Sequence, residues 1–112
     1  MSAQALKGHL DGMLLAALED GPRHGYAVME VLRAGSGGRF DLPTGTIYPA
    51  LRRLERAGLV STTWSEDGGR RRRMYELTPA GRRTLETERH AWREFSAAVT
   101  ALLGPLPRPV AG

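Results

Sequence analysis

The stretch from Leu59 to Leu77 does more than any other to limit what this chain can fold into. Leu59-Val60-Ser61-Thr62-Thr63-Trp64 is rich in β-branched residues, Asp67-Gly68-Gly69 supplies a turn, and residues 72–77 return. β-Branched side chains favour extended backbone and paired glycines permit the reversal, so this pattern predicts a two-stranded hairpin.

On both sides of the hairpin the apolar residues recur at helical spacing. Leu6, Leu10, Met13, Leu14, Ala17 and Leu18 predict a first helix over about residues 5–20, closed by Gly21-Pro22. Tyr26, Met29, Val31 and Leu32 predict a second over about 24–34, stopped by the glycines of 35–38. Ile47, Ala50, Leu51 and Leu54 form the inner stripe of a third, with Gly58 as the residue that ends it. Thr44 serves as its N-cap, although Pro49 is better tolerated with Thr46 in that role, so the start stays open by two residues. From Thr78, an N-cap, and Pro79 at the first helical position, a long helix runs to about Leu103.

Two short helices in succession followed by a hairpin describe a winged helix-turn-helix, so the expected fold is mainly α (α+β) with a long C-terminal dimerisation helix. The 112 residues leave room for one domain and one modest core. We expect residues 1–78 to form the DNA-binding domain, 79–103 the dimerisation helix, and 104–112 a frayed tail with three prolines. A core this small gains from burial against a second copy. Cysteine is absent, no run of 18 apolar residues exists, and no export signal heads the chain, which together suggest the cytoplasm.

Charge locates the expected partner. Residues 1–51 carry a net −1, residues 52–83 a net +5, and residues 84–112 balance. One basic block suits a face that meets a polyanion, here double-stranded DNA. In a winged helix the second helix of the motif enters the major groove. The side of the third helix opposite Ile47, Leu51 and Leu54 presents Thr44, Thr46, Tyr48, Arg52, Arg53 and Arg56. Arg52 has the planar fork for a bidentate guanine contact. Glu55 could instead pair Arg52 or Arg56 on a plain solvated face. Arg70-Arg71-Arg72-Arg73, at the hairpin tip and the start of its return strand, are four adjacent like charges. Folding stability does not explain them, whereas contact with phosphates does.

The segments LDGMLLAALEDGPRHGY, GTIYPALRRLERAGLV and RRRMYELTPAGRRTL resemble the PadR family of bacterial transcriptional regulators over roughly residues 6–100. Its Gly-Thr-aliphatic-Tyr-Pro motif matches Gly45 to Pro49, and the single C-terminal helix is similar to its small subfamily. The resemblance implies a dimeric repressor on inverted-repeat operators, often released by a small aromatic or hydrophobic effector. It also implies a backbone contact to DNA where His24-Gly25-Tyr26 starts the second helix; a plain helix-start role fits these residues equally well.

On the long helix Leu85, Glu88, Trp92, Phe95, Val99 and Leu102 alternate intervals of three and four. That is a seam for a partner helix, and a helix of about 25 residues spans about 37 Å, beyond so small a core. Leu6 and Leu10 of the first helix are expected to join the interface from the other subunit. In multidrug-sensing members of the resembled family a tryptophan in this part of the last helix stacks on planar ligands. Trp92 and Phe95, with Met13 and Leu14 as neighbours, are thus either an effector site or a closed dimer core. His9, His24 and His90 share no ligand spacing, so neither a metal nor a cofactor is expected. No nucleophile–base set or phosphate loop suggests an enzyme. The competing function is a protein-interaction module whose basic face meets an acidic partner.

Overall fold

The computed structural model describes residues 8–104. Among these residues four helices and three strands follow in order: α1 Leu10–Ala17, β1 Arg23–His24, α2 Gly25–Gly35, α3 Thr44–Arg56, β2 Val60–Asp67, β3 Arg70–Leu77 and α4 Pro79–Leu103. The strands form one antiparallel sheet in the order β1-β3-β2.

The hairpin extends further than the β-branched run implied. β2 and β3 pair from Val60↔Leu77 out to Asp67↔Arg70, leaving a two-residue turn. Gly68 and Gly69 have φ of +58° and +81°, the left-handed pair that twists a tight hairpin in the same sense as its strands. The basic run therefore occupies the return strand itself, with alternate arginines on opposite faces.

Three boundaries differ from expectation. α1 ends at Ala17 and turns through residues 18–20, where Leu18 is fully buried; residues 5–7 of the expected helix lie outside those described. β1 was not anticipated: Arg23 pairs with Tyr75 and His24 with Met74. The N-cap of α3 is Pro43 rather than Thr44 or Thr46, without a side-chain cap, and Pro49 sits inside the helix. The carbonyl that Pro49 cannot engage is that of Gly45, which is exposed to water, so the missing hydrogen bond costs little. Gly58 ends α3 with φ +77°, as its position predicts.

One core joins these elements. Leu14, Leu15 and Leu18 meet Val28 of α2, Ile47, Leu51 and Leu54 of α3, Val60 of β2 and Tyr75 and Leu77 of β3. Leu85 of α4 belongs to it, only 3% exposed. It is therefore a core residue of its own protomer and not part of a dimer seam, which corrects the periodicity reading.

The base of α4 is locked in place. The Thr78 hydroxyl donates to the Gly58 carbonyl (2.6 Å) and accepts from the Gly81 N–H (3.0 Å), capping the helix as predicted. Gly81 lies directly on the Leu59 carbonyl, so that an added Cβ would fall 2.0 Å from the oxygen. One turn beyond Leu85, Arg89 grips Glu19 with two hydrogen bonds of 2.6 and 2.7 Å. That hydrogen bonding holds the Glu19 carboxyl below the usual carboxylate range. Past this clasp the helix leaves the domain: Trp92, Phe95, Leu102 and Leu103 are all more than half exposed. The radius of gyration is 16.2 Å, against about 13 Å for a compact domain of this length, which reflects the projecting helix.

Candidate nucleic-acid interface

α3, the start of α2 and the wing formed by β2 and β3 supply one continuous surface. On α3, Thr44, Arg52 and Arg56 are exposed and Thr46 is half-buried. Arg53 is exposed but ion-paired with Asp11 of α1, so its guanidinium ties two helices together. Glu55 does not pair Arg52 or Arg56. It accepts from the Thr62 hydroxyl (2.6 Å) and lies 3.7 Å from Arg73, fastening α3 to the wing.

Tyr48 departs from the sequence reading. The helical wheel sets it opposite the core stripe, yet it is half-buried, because the start of α2 lies on that side. Its phenol fills the space a side chain at Gly25 would need, with the hydroxyl 2.4 Å from where that Cβ would stand. Tyr26, 65% exposed, meets the Tyr48 ring edge to face at 6.4 Å. Burial, then the neighbouring Tyr26 and Tyr75, push the Tyr48 hydroxyl above its ordinary value, so it stays a protonated donor at neutral pH.

His24 caps α2. The Ala27 N–H donates to its Nδ1 at 3.2 Å, and its Nε2 lies 3.0 Å from Nη1 of Arg72. Between His24, Tyr26, Tyr48 and the arginines at 70–73 runs an open cleft of about 570 Å³. Among the described residues its lining carries four arginines and no carboxylate, which favours an anion.

The wing carries an aromatic residue that sequence reasoning did not single out. Trp64, directly across from Arg73, is 59% exposed, with the guanidinium carbons of Arg71 and Arg73 at 4.7 and 5.7 Å from its ring. Counting the register outward from the glycine turn would have exposed this pairing. Such contacts hold two flexible side chains in one direction at modest cost.

The expected effector residues are dispersed. Trp92 and Phe95 stay together, with ring centroids 6.0 Å apart, and His9 meets Trp92 edge to face at 5.3 Å. Met13 of α1 is half-buried and packs against the core. Leu14 is fully buried in the core and cannot reach a ligand, a correction that follows from which side of α1 the core occupies. Of the expected seam, Leu10 and Val99 are half-buried, Leu102 is 87% exposed, and Leu6 lies outside the described residues. Among the described residues no group of three His, Cys, Asp or Glu side chains could hold a metal ion.

Three helices, a basic hairpin wing and an open basic cleft define a winged helix of the kind found in transcriptional regulators. The chain belongs to the PadR-like family of transcriptional regulators, whose sequence profile matches residues 14–87. It is 38% identical over 81 residues to the transcriptional regulator Rv3488 of Mycobacterium tuberculosis, covering 71% of this chain and 72% of that one. It is 45% identical over 87 residues to an uncharacterised 37.1 kDa protein in transposon TN4556 of Streptomyces fradiae. That match takes in 78% of this chain but only 24% of the transposon protein. The crystal structure of a PadR family transcription regulator from Clostridium difficile R20291 superposes with a TM-score of 0.78 at 31% identity, covering 87% of this chain and all of that one. Both Rv3488 and the Clostridium difficile protein are transcriptional regulators. No helix among the described residues is long and apolar enough to cross a membrane.

Proposed function

We propose that the chain is a cytoplasmic repressor that binds double-stranded DNA as a homodimer on an inverted-repeat operator. The observation that carries this reading is the open cleft lined by Arg70, Arg71, Arg72 and Arg73 beside α3, whose Arg52 and Arg56 are exposed. In the proposal α3 enters the major groove, where Arg52 reads a base and Thr44 and Thr46 hold the neighbouring phosphates. Arg70, Arg71 and Arg72 follow the backbone, and His24 and Tyr26 contact it beside the groove. Arg53 joins them by exchanging Asp11 for phosphate. Residues 1–78 are the DNA-binding unit and 79–103 the dimerisation helix, whose first two turns also complete the core of that unit.

Operator binding by variants tests the reader. Arg52→Ala should cost about 1–3 kcal/mol at the base position it contacts while leaving binding to other sequences unchanged. The melting temperature should hold, because the Arg52 side chain is exposed. Unchanged preference at every position would remove α3 as the reader. Tyr48 does not suit this test, since its ring supports the start of α2.

The dimer reading draws support from the bare apolar side of α4 beyond Arg89. Trp92→Ala removes a ring that a partner would cover, worth about 2 kcal/mol per subunit at ~25 cal/mol per Å². The dimer dissociation constant, measured by sedimentation, should rise by about 10²–10³-fold, and operator binding should fall with it. A variant that stays dimeric and binds DNA, yet no longer responds to planar hydrophobic compounds, would instead favour the second reading. That reading makes Trp92 and Phe95 the wall of an effector site, and the open His9–Trp92–Phe95 cluster is what favours it.

A further inference from the structure

We infer that His24 carries its ring proton on Nε2 and, with Arg72, holds one phosphate oxygen of the DNA backbone between two donors. The inference rests on the proposed DNA binding and assigns the chemistry of one contact within it. It begins from a conflict of hydrogen-bonding roles. A neutral imidazole has one N–H donor and one bare acceptor nitrogen. The Ala27 N–H can only donate, and it points at Nδ1 from 3.2 Å. The Arg72 guanidinium can only donate as well, and its Nη1 lies 3.0 Å from Nε2. One ring cannot accept from both. With the proton on Nδ1 the ring accepts from Arg72 but abandons the cap of α2. With the proton on Nε2 the cap stands and two N–H donors face one another. A doubly protonated ring makes neither bond and repels the guanidinium.

An acceptor that takes both N–H groups resolves the conflict. Arg72 and His24 stand on adjacent strands, β3 and β1, and converge at one wall of the open cleft. An anionic acceptor suits the place, because the other described residues lining it are Gly25, two tyrosines and the cationic Arg70, Arg71 and Arg73. A phosphodiester oxygen is such an acceptor, and Arg–phosphate bonds are about twice as strong as neutral ones. On binding, the phosphate takes over the place of Nε2 as partner of Arg72. His24 then keeps the cap that fixes the start of α2 while donating outward. One side chain thus sets the helix start and senses whether the backbone is seated.

His24→Asn separates these duties. Asparagine is among the best N-caps and keeps an acceptor for the Ala27 N–H, but it is too short to donate across the cleft. The variant should melt like the parent protein. Its affinity for DNA should fall about tenfold, the loss of one hydrogen bond to a charged group. Because the lost donor is uncharged, the dependence of log K on log salt should keep its slope, whereas Arg72→Gln should flatten it by about 0.9. The double variant should lose less than the product of the two, since both donors serve one oxygen. Nitrogen-15 spectra of the complex should show His24 as the Nε2–H tautomer. DNA affinity like the parent's in His24→Asn, or an Nδ1–H ring in the complex, would overturn the inference. So would a His24 ring that responds to inorganic phosphate but not to DNA. If the wing arginines matter and His24→Asn does not, only this inference fails; if none of them matters, the proposed DNA binding fails with it.

Discussion

Replacing Arg70, Arg71 and Arg72 together with glutamine is expected to weaken DNA binding by about 10²-fold per wing near 0.15 M salt, with every sequence affected alike. Each phosphate contact releases counterions worth about 0.9 in the slope of log K against log salt, so three lost contacts should flatten that slope by about 2.7 per wing. Operator preference should persist, because phosphate contacts position a protein without reading bases. The fold should survive: Arg70 and Arg71 are exposed, and removing adjacent like charges relieves repulsion rather than creating it. Titrations at several salt concentrations, on operator and on mixed DNA, would check this. A slope that does not change would detach the wing from the backbone.

The second large effect is on stability. A glycine inside a helix normally gains up to about 1 kcal/mol when replaced by alanine. Gly81→Ala should do the opposite, at about 3 kcal/mol or more, because overpacking against backbone cannot be relieved by a rotamer change. The new Cβ would stand 2.0 Å from the Leu59 carbonyl oxygen and 3.3 Å from Leu77 Cδ2. That carbonyl cannot retreat. It accepts from the Thr78 N–H at 3.1 Å, and the Leu59 N–H is itself tied to Leu54 at 3.0 Å. The helix would have to lift away, uncovering Leu85. Thermal unfolding should show a fall of about 10 °C or more. Gly45→Ala, with nothing within 4 Å of its added Cβ, is the control and should not destabilise. A Gly81→Ala protein that melts at or above the parent temperature would refute the account of how α4 is seated.

Turn chemistry made much of the fold legible in advance. Two glycines that need positive φ marked the hairpin tip, Gly58 marked the end of α3, and Thr78-Pro79 marked the start of α4. The two-residue strand β1 could not be foreseen, because Arg23-His24 is too short to show an alternation. Periodicity also misassigned Leu85. Spacing of three and four tells which residues share a side of a helix, and is silent on whether that side meets its own domain or another molecule. The stripe on α4 does both in turn, passing from the core at Leu85 to open solvent at Trp92. Tyr48 failed for a related reason: a wheel drawn for one helix cannot see that α2 begins against its far side. The alternative that pairs Glu55 with neighbours on its own helix likewise ignores the wing, which offers it a hydroxyl and a guanidinium.

The clasp at the foot of α4 has a mechanical consequence. Gly81 against the Leu59 carbonyl, Leu85 in the core and Arg89 on Glu19 fix the base of α4 at three points to the domain that carries α3. Beyond Arg89 the arm is therefore a lever about 21 Å long, and a tilt of about 10° at its foot moves its tip by roughly 3.6 Å, close to the rise of one base pair. In the other direction, whatever grips the tip steers α3, which the proposed function makes the reader. Two such levers crossed at their tips would set the distance between half-sites much as the pivot of a pair of calipers sets the gap between its points.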